Sequence, residues 1–181
     1  CSSDLLRGSN AAIAAGAILD AASEVLGERG LSAPMGEIAR RACVSKQTVY
    51  NHYGSKADLI RALVERRVAT ITAPLREAGA EDRPEETLKA YATTLLTVVN
   101  NKNYALMRVT IQSAGDMPDL AREVFEAGPK HSRAQLAQFL ALETGAGRMK
   151  VDNPLQAASA WSGRSSMVVR RSSRRSAILR L

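Results

Sequence analysis

Val44-Ser45-Lys46-Gln47-Thr48-Val49-Tyr50-Asn51-His52-Tyr53-Gly54-Ser55-Lys56 is the stretch on which the reading of this chain turns. Ser45 can cap a helix with its hydroxyl, and Lys46 to about His52 then forms one short helix before Tyr53-Gly54-Ser55 breaks it. Upstream, Pro34 suits the first turn of another helix, because its missing N–H has no partner there. That helix runs to about Arg41, with Met35, Ile38, Ala39 and Ala42 on its apolar side. Two short helices joined at Cys43-Val44 make a helix-turn-helix over about residues 34–53. A helix fits the major groove of B-DNA, where amide and basic side chains match base edges. Gln47 and Asn51 suit adenine, and Lys46 suits guanine or phosphate. The Ser45 and Thr48 hydroxyls, the Tyr50 phenol and Lys56 are placed for the DNA backbone, the N–H groups at the start of the next helix add an anion site, and His52 leans towards DNA. Tyr53 is expected to wedge the helix against its neighbours, and Arg40, Arg41, Arg66 and Arg67 to be solvated charges.

Outward from this motif, Ile13, Ala17, Ala21 and Val25, with Ile18, Ala22 and Leu26, recur at helical spacing. They predict a first helix ending at Gly27 to Gly30, preceded by a disordered stretch over residues 1–9. Ser55 caps a long fourth helix with Leu59, Ile60, Leu63, Val64, Val68 and Ile71 on its buried stripe, and Pro74 should kink or end it. The turn-rich Gly79-Ala80-Glu81-Asp82-Arg83-Pro84 separates the halves of the chain. Beyond it the spacing predicts helices over roughly 84–99, 103–114, 118–127 and 129–144 and one starting at Pro154. Prolines in first turns beside acids mark two of these starts, at Pro84-Glu85-Glu86 and Pro118-Asp119. The fold class is all-α.

Bulk composition agrees and excludes several alternatives. Only 4% of the 181 residues are aromatic, and no long polar–apolar alternation suggests strands. No run of about 18 apolar residues occurs, so no membrane span is expected and a cytoplasmic protein is. Cys1, Cys43, His52 and His131 form no metal-ligand spacing, and neither a disulfide framework, a metal nor a cofactor is expected. No nucleophile with a base, paired carboxylates or phosphate loop stands out, so the chain is not read as an enzyme. The formal charge of +7 is misleading: Arg164, Arg170, Arg171, Arg174, Arg175 and Arg180 lie beyond Ser159 with no acid, leaving residues 1–158 with 19 bases against 18 acids. DNA binding therefore rests on the motif and not on net charge.

The segments Ile18-Leu19-Asp20-Ala21-Ala22, Glu28-Arg29-Gly30, Ile38-Ala39 and Val44 through Lys56 together resemble the DNA-binding domain of the TetR family of bacterial regulators, over about residues 11–63. Met107 to Ser113, Pro118-Asp119-Leu120-Ala121, Phe125-Glu126-Ala127-Gly128-Pro129 and Val151-Asp152-Asn153-Pro154 resemble that family's AefR-like C-terminal domain. The resemblance implies a three-helix DNA-binding domain over 11–63 and a helical ligand-binding and dimerisation domain over 64–181. It further implies a homodimer closed by a four-helix interface, operator DNA as partner, and a small-molecule effector held in each C-terminal domain. Tyr91, Leu95, Met107, Ile111, Phe125, Phe139 and Trp161 are the candidate lining residues, each equally readable as plain core. The expected function is a repressor released from its operator by a ligand. An activator of the same architecture, or a helical small-molecule carrier without operator binding, are the alternatives.

The sequence departs from the family in places. Ala33 stands where a Thr or Ser cap is usual, Cys43 where a turn glycine is usual, and Ala11 to Gly16 lacks arginines. From about Ser159 the composition turns to Ser and Arg where the family has an apolar dimer helix. Read one nucleotide earlier, with permitted GC-rich codons, the stretch from Ser159 gives Gln-Arg-Met-Val-Gly-Pro-Val-Ile-His-Gly, which suggests a shift of reading frame. The nucleotide sequence decides this.

Overall fold

A computed structural model describes the backbone of residues 2–100 and 117–161 and the side chains of 11–99 and 117–161, and all its regular structure is helical. The expected helix at 103–114, the candidates Met107 and Ile111, and the basic tail lie outside the described residues. Helix α1 spans Ser2–Arg29, so it starts earlier than the polar composition of residues 1–9 led us to expect. From Ser2 to Asn10 the sequence has no proline and one glycine, Gly8, so nothing in it stops the hydrogen-bond ladder. Gly30, at φ 68°, ends the helix in the left-handed conformation that glycine adopts without a Cβ clash. A 3-10 turn, Gly30–Ser32, follows.

Helix α2 spans Met35–Arg41 and α3 spans Lys46–His52. Pro34 sits one residue before the first turn of α2, extended at φ −75° and ψ 143°, and not within the turn as expected. The corner between the helices is closed by Val44 N–H donating to the Ala39 carbonyl at 3.0 Å, which places Cys43 at φ 55°. This region favours glycine, and a side chain there costs about 1–2 kcal/mol. Glycine recovers that strain but gives back part of it through the freer unfolded chain. Cys43→Gly is therefore expected to stabilise the protein by about 0.5–1 kcal/mol, read as a higher urea midpoint at unchanged slope. An unaltered or lower midpoint would show that the corner carries no strain.

Helix α4 spans Lys56–Thr72 and ends in a 3-10 turn, Ala73–Arg76, where Pro74 cannot continue the ladder. The chain then divides into two compact units. The first runs to Arg67 and takes in the stretch up to Gly128 that carries α6, Pro118–Phe125. Its core joins Ile18, Ala22, Val25 and Leu26 of α1, Ile38 of α2, Val49 of α3, and Leu59, Ile60 and Leu63 of α4. Burying a side chain of this kind is worth roughly 1.5–3 kcal/mol. Val124 of α6, 2% exposed, belongs to the same core, with Leu120 and Ala127 packed on it.

Arginines expected to be solvated charges also reach across these helices. Arg41 ties α2 to α1 through Glu24 at 2.9 Å and Glu28 at 3.3 Å. Arg66 reaches Asp20 at 2.8 Å, and Arg67 donates to the Ser23 hydroxyl at 3.2 Å. Such pairs sit 13 to 46 residues apart along the chain, so no local spacing betrays them.

The second unit holds Val68–Asn100 and the chain from Pro129 onward. It contains α5 (Pro84–Asn100), α7 (His131–Gly145) and α8 (residues 154–161). Leu88 and Tyr91 of α5 meet Leu136, Phe139 and Leu140 of α7 and Ala158 of α8. Gly128-Pro129, expected as a clean break between helices, lies inside a wide π-helical turn, Glu126–Lys130. Pro129 has no N–H to give, so the four-residue ladder cannot pass through it.

Buried Glu143 receives Arg148 on both carboxylate oxygens, at 2.7 and 3.0 Å. The Arg148 guanidinium holds the Glu143 carboxyl below its ordinary value of 4.5. Its contribution to stability is thus fully present above that value and lost as pH falls through the lower folded one. Glu143→Gln is expected to lower the melting temperature at neutral pH, with the gap to the unmodified protein closing on acidification below 4.5. A gap that stays constant from pH 7 to pH 3 would contradict this.

Candidate nucleic-acid interface

Ser45 is extended, and its Oγ accepts from the Thr48 N–H at 3.0 Å, meeting one of the open donors at the start of α3. Successive residues of α3 then turn by about 100° each. Val49 falls on one side and is fully buried against the first unit's core. Lys46, Gln47, Tyr50 and Asn51 are all exposed, with Gln47 and Asn51 opposite Val49, and Thr48 and His52 are half-buried.

These side chains are pre-ordered in pairs. Gln47 Nε2 donates to Asn51 Oδ1 at 2.8 Å, and the Lys46 ammonium lies 5.9 Å from the centroid of the Tyr50 ring. Ser45 and Thr48 share a hydrogen bond between their hydroxyls at 2.8 Å. Of the two hydroxyl protons one is used in that bond, which leaves the other for a phosphate oxygen. The Gln47–Asn51 bond still leaves the Gln47 carbonyl as an acceptor and the Asn51 amide as a donor. One donor and one acceptor are held side by side.

Two neighbours fix how this surface is presented. Tyr53, packed on the core, donates its phenol proton to the Ala15 carbonyl at 3.4 Å, and burial raises its pKa. Lys56 was expected to face phosphate. Its Nζ donates to the Leu31 carbonyl at 2.8 Å, and partial burial lowers its pKa. It binds the start of α4 to the turn after α1, 25 residues away, a partner no sequence spacing reveals. Ser55 accepts from the Asp58 N–H at 3.1 Å and donates to the Asp58 carboxylate at 2.6 Å, which lowers that carboxyl's pKa. The phosphate-binding helix start expected there thus carries its own acid. Cys43, at the exposed corner, has no second cysteine among the described residues.

The candidate lining residues divide differently. Tyr91 and Phe139 lie in the second unit's core, with Leu95 and Trp161 packed on it. Phe125 belongs to the first unit and is 48% exposed, so it is not part of that core. Helix α6 ends beside it, and the apolar side of α6 is spent on Val124 and Leu120. Among the described residues no helix is long and apolar enough to cross a membrane, and no group of three or more metal-ligating side chains gathers.

Comparison with known proteins identifies the family. Residues 18–63 match the family model described as bacterial regulatory proteins, tetR family, and residues 86–171 match the AefR-like transcriptional repressor C-terminal domain. The chain is 45% identical over 64 residues to the HTH-type transcriptional activator FasR of Mycolicibacterium smegmatis, covering 35% of this chain and 29% of that relative. Among solved structures, the flavonoid-responsive regulator FrrA is 30% identical with a TM-score of 0.59, over 81% of this chain and 76% of its own. A TetR transcription regulatory protein from Mycobacterium vanbaalenii is 28% identical with a TM-score of 0.62, over 94% of this chain and 99% of its own.

Proposed function

The chain belongs to the TetR family of bacterial transcriptional regulators, and from that footing we propose that it is a repressor released from its operator by a small molecule. The supporting observation is the exposed polar arc of α3, anchored from behind by Val49 and laterally by Tyr53. In this reading two copies place α3 in successive major grooves, about 34 Å apart, on a pseudo-palindromic operator. Gln47 and Asn51 read base edges; Lys46, Tyr50, His52 and the Ser45–Thr48 pair hold the backbone; Lys56 positions α4 and keeps two further donors for phosphate. The effector is held by the second unit, where Tyr91, Leu95, Phe139 and Trp161 meet. The lever is α4, whose residues 56–67 belong to the first unit and 68–72 to the second. An inducer must favour the arrangement that cannot hold DNA.

FasR is named an activator, which supports a second reading. That similarity covers only 64 residues, however, whereas the matched C-terminal model is that of a repressor. A mobility-shift assay with DNA from upstream of the gene tests the proposal. A discrete shift at low protein concentration, resistant to unrelated DNA, is expected. Transcription from the same promoter in a reconstituted assay should fall as the protein is added. A rise would establish the activator, and no shift at any site would leave a small-molecule carrier.

A further inference from the structure

The core of the second unit contains a polar pair that packing does not explain. Tyr91 on α5 and Ser132 on α7 bring their hydroxyl oxygens to 3.2 Å, and they are 1% and 8% exposed. Two hydroxyls carry two protons, and the bond between them uses one, whichever donates. Among the described residues neither side chain makes another hydrogen bond. One hydroxyl proton therefore has no acceptor among the described residues, in a core that also holds Leu88, Leu136, Phe139 and Leu140. A buried donor in this condition marks the place of a water or a ligand oxygen.

We propose that Tyr91 and Ser132 form the polar end of a binding subsite for an uncharged, largely apolar molecule carrying an accepting oxygen, such as a ketone, ester or ether. The proposal rests on the ligand-responsive reading for its purpose and on the proton count for its chemistry. Charge is disfavoured by the described residues of this unit. Glu143, the buried ionisable carboxylate of this unit's described residues, is occupied by Arg148 on both oxygens. Arg133, next to Ser132, directs its Nε to the Pro129 carbonyl at 3.0 Å. Among the described residues, a carboxylate entering here would lose water without gaining an open cation, and an ammonium would find no open anion. Burial raises the Tyr91 pKa, so the phenol remains a neutral donor.

Two measurements on the full chain test this. The first is a stability cycle with Tyr91→Phe, Ser132→Ala and the double variant. Each single change strands the remaining hydroxyl and should lower the melting temperature, whereas the double variant, which removes both hydroxyls, should melt at or above the unmodified protein. A double variant that melts below both singles would mark the pair as a satisfied strut and overturn the proposal. The second measures binding of matched probes by calorimetry: acetophenone against ethylbenzene, benzophenone against diphenylmethane, and benzoate as the charged control. At least one ketone should bind about tenfold tighter than its hydrocarbon, benzoate should not bind, and the preference should vanish in the double variant. Equal binding within each pair, or no binding by any probe, would mean that water meets the proton and no subsite exists. Loss of operator binding by the unmodified protein would instead strike the regulatory reading and leave the subsite standing.

Discussion

Gln47→Ala and Asn51→Ala are each expected to reduce the preference for the operator over base-substituted versions by about 5- to 150-fold, at particular base pairs and not uniformly. The figure corresponds to the roughly 1–3 kcal/mol that an amide–base contact contributes to discrimination. The two losses should not add. Gln47 Nε2 holds Asn51 Oδ1 at 2.8 Å, so removing either side chain frees the other to swing. Each single variant thereby loses part of both contacts, and the double variant should lose less than the product of the singles. Lys46→Ala should instead weaken binding to every sequence and reduce the salt dependence by about one ion per copy. Competition binding against a panel of single-base operator variants separates these outcomes. Uniform weakening in Gln47→Ala and Asn51→Ala would remove both residues from base reading.

Val124→Asp is expected to unfold the first unit, although Val124 lies more than 60 residues beyond the motif. Its side chain is 2% exposed among Leu59, Ile60 and the other core residues of that unit. An unpaired carboxylate there costs several kcal/mol, comparable with the roughly 5–15 kcal/mol that holds a domain together. Val124→Ala, which only empties space, should cost about 2 kcal/mol. Urea unfolding measures both, and operator binding should fail in the aspartate variant at temperatures where the alanine variant still binds. If Val124→Asp melts like the unmodified protein, α6 is an appendage and not a part of that core.

The helices themselves were largely legible in the sequence. Capping serines at 45 and 55, glycine at 30 and prolines at 74, 84 and 118 each mark an element's end or start by local chemistry. The apolar stripes of α1, α2 and α4 likewise predict their buried faces. The residues of the exposed arc of α3 were also readable, because one short helix with a single buried face leaves little choice. What could not be read is set by long-range contact. Lys56 spends a donor on a main-chain carbonyl, and a carbonyl carries no residue identity to search for. Arg41 and Arg66 look like ordinary surface charges until folding brings Glu24, Glu28 and Asp20 to them. Helix α6 carries an apolar side, but periodicity does not say which core that side enters. The Gln47–Asn51 bond could have been anticipated, since residues four apart on a helix are neighbours.

Four arginines near the motif are each matched to a carboxylate: Arg40 to Glu37, Arg41 to Glu24 and Glu28, Arg61 to Asp58, and Arg66 to Asp20. Cations already neutralised from within displace few of the sodium or potassium ions condensed along a duplex. In the proposed reading, two copies each of Lys46 and Lys56 would give a slope of only about −4 in log affinity against log salt. On that reading the regulator would gain little from random chromosome and slide along it poorly. Its residence at one address must come from matched base edges, so its occupancy should hold steady through osmotic swings that strip more highly charged regulators from DNA.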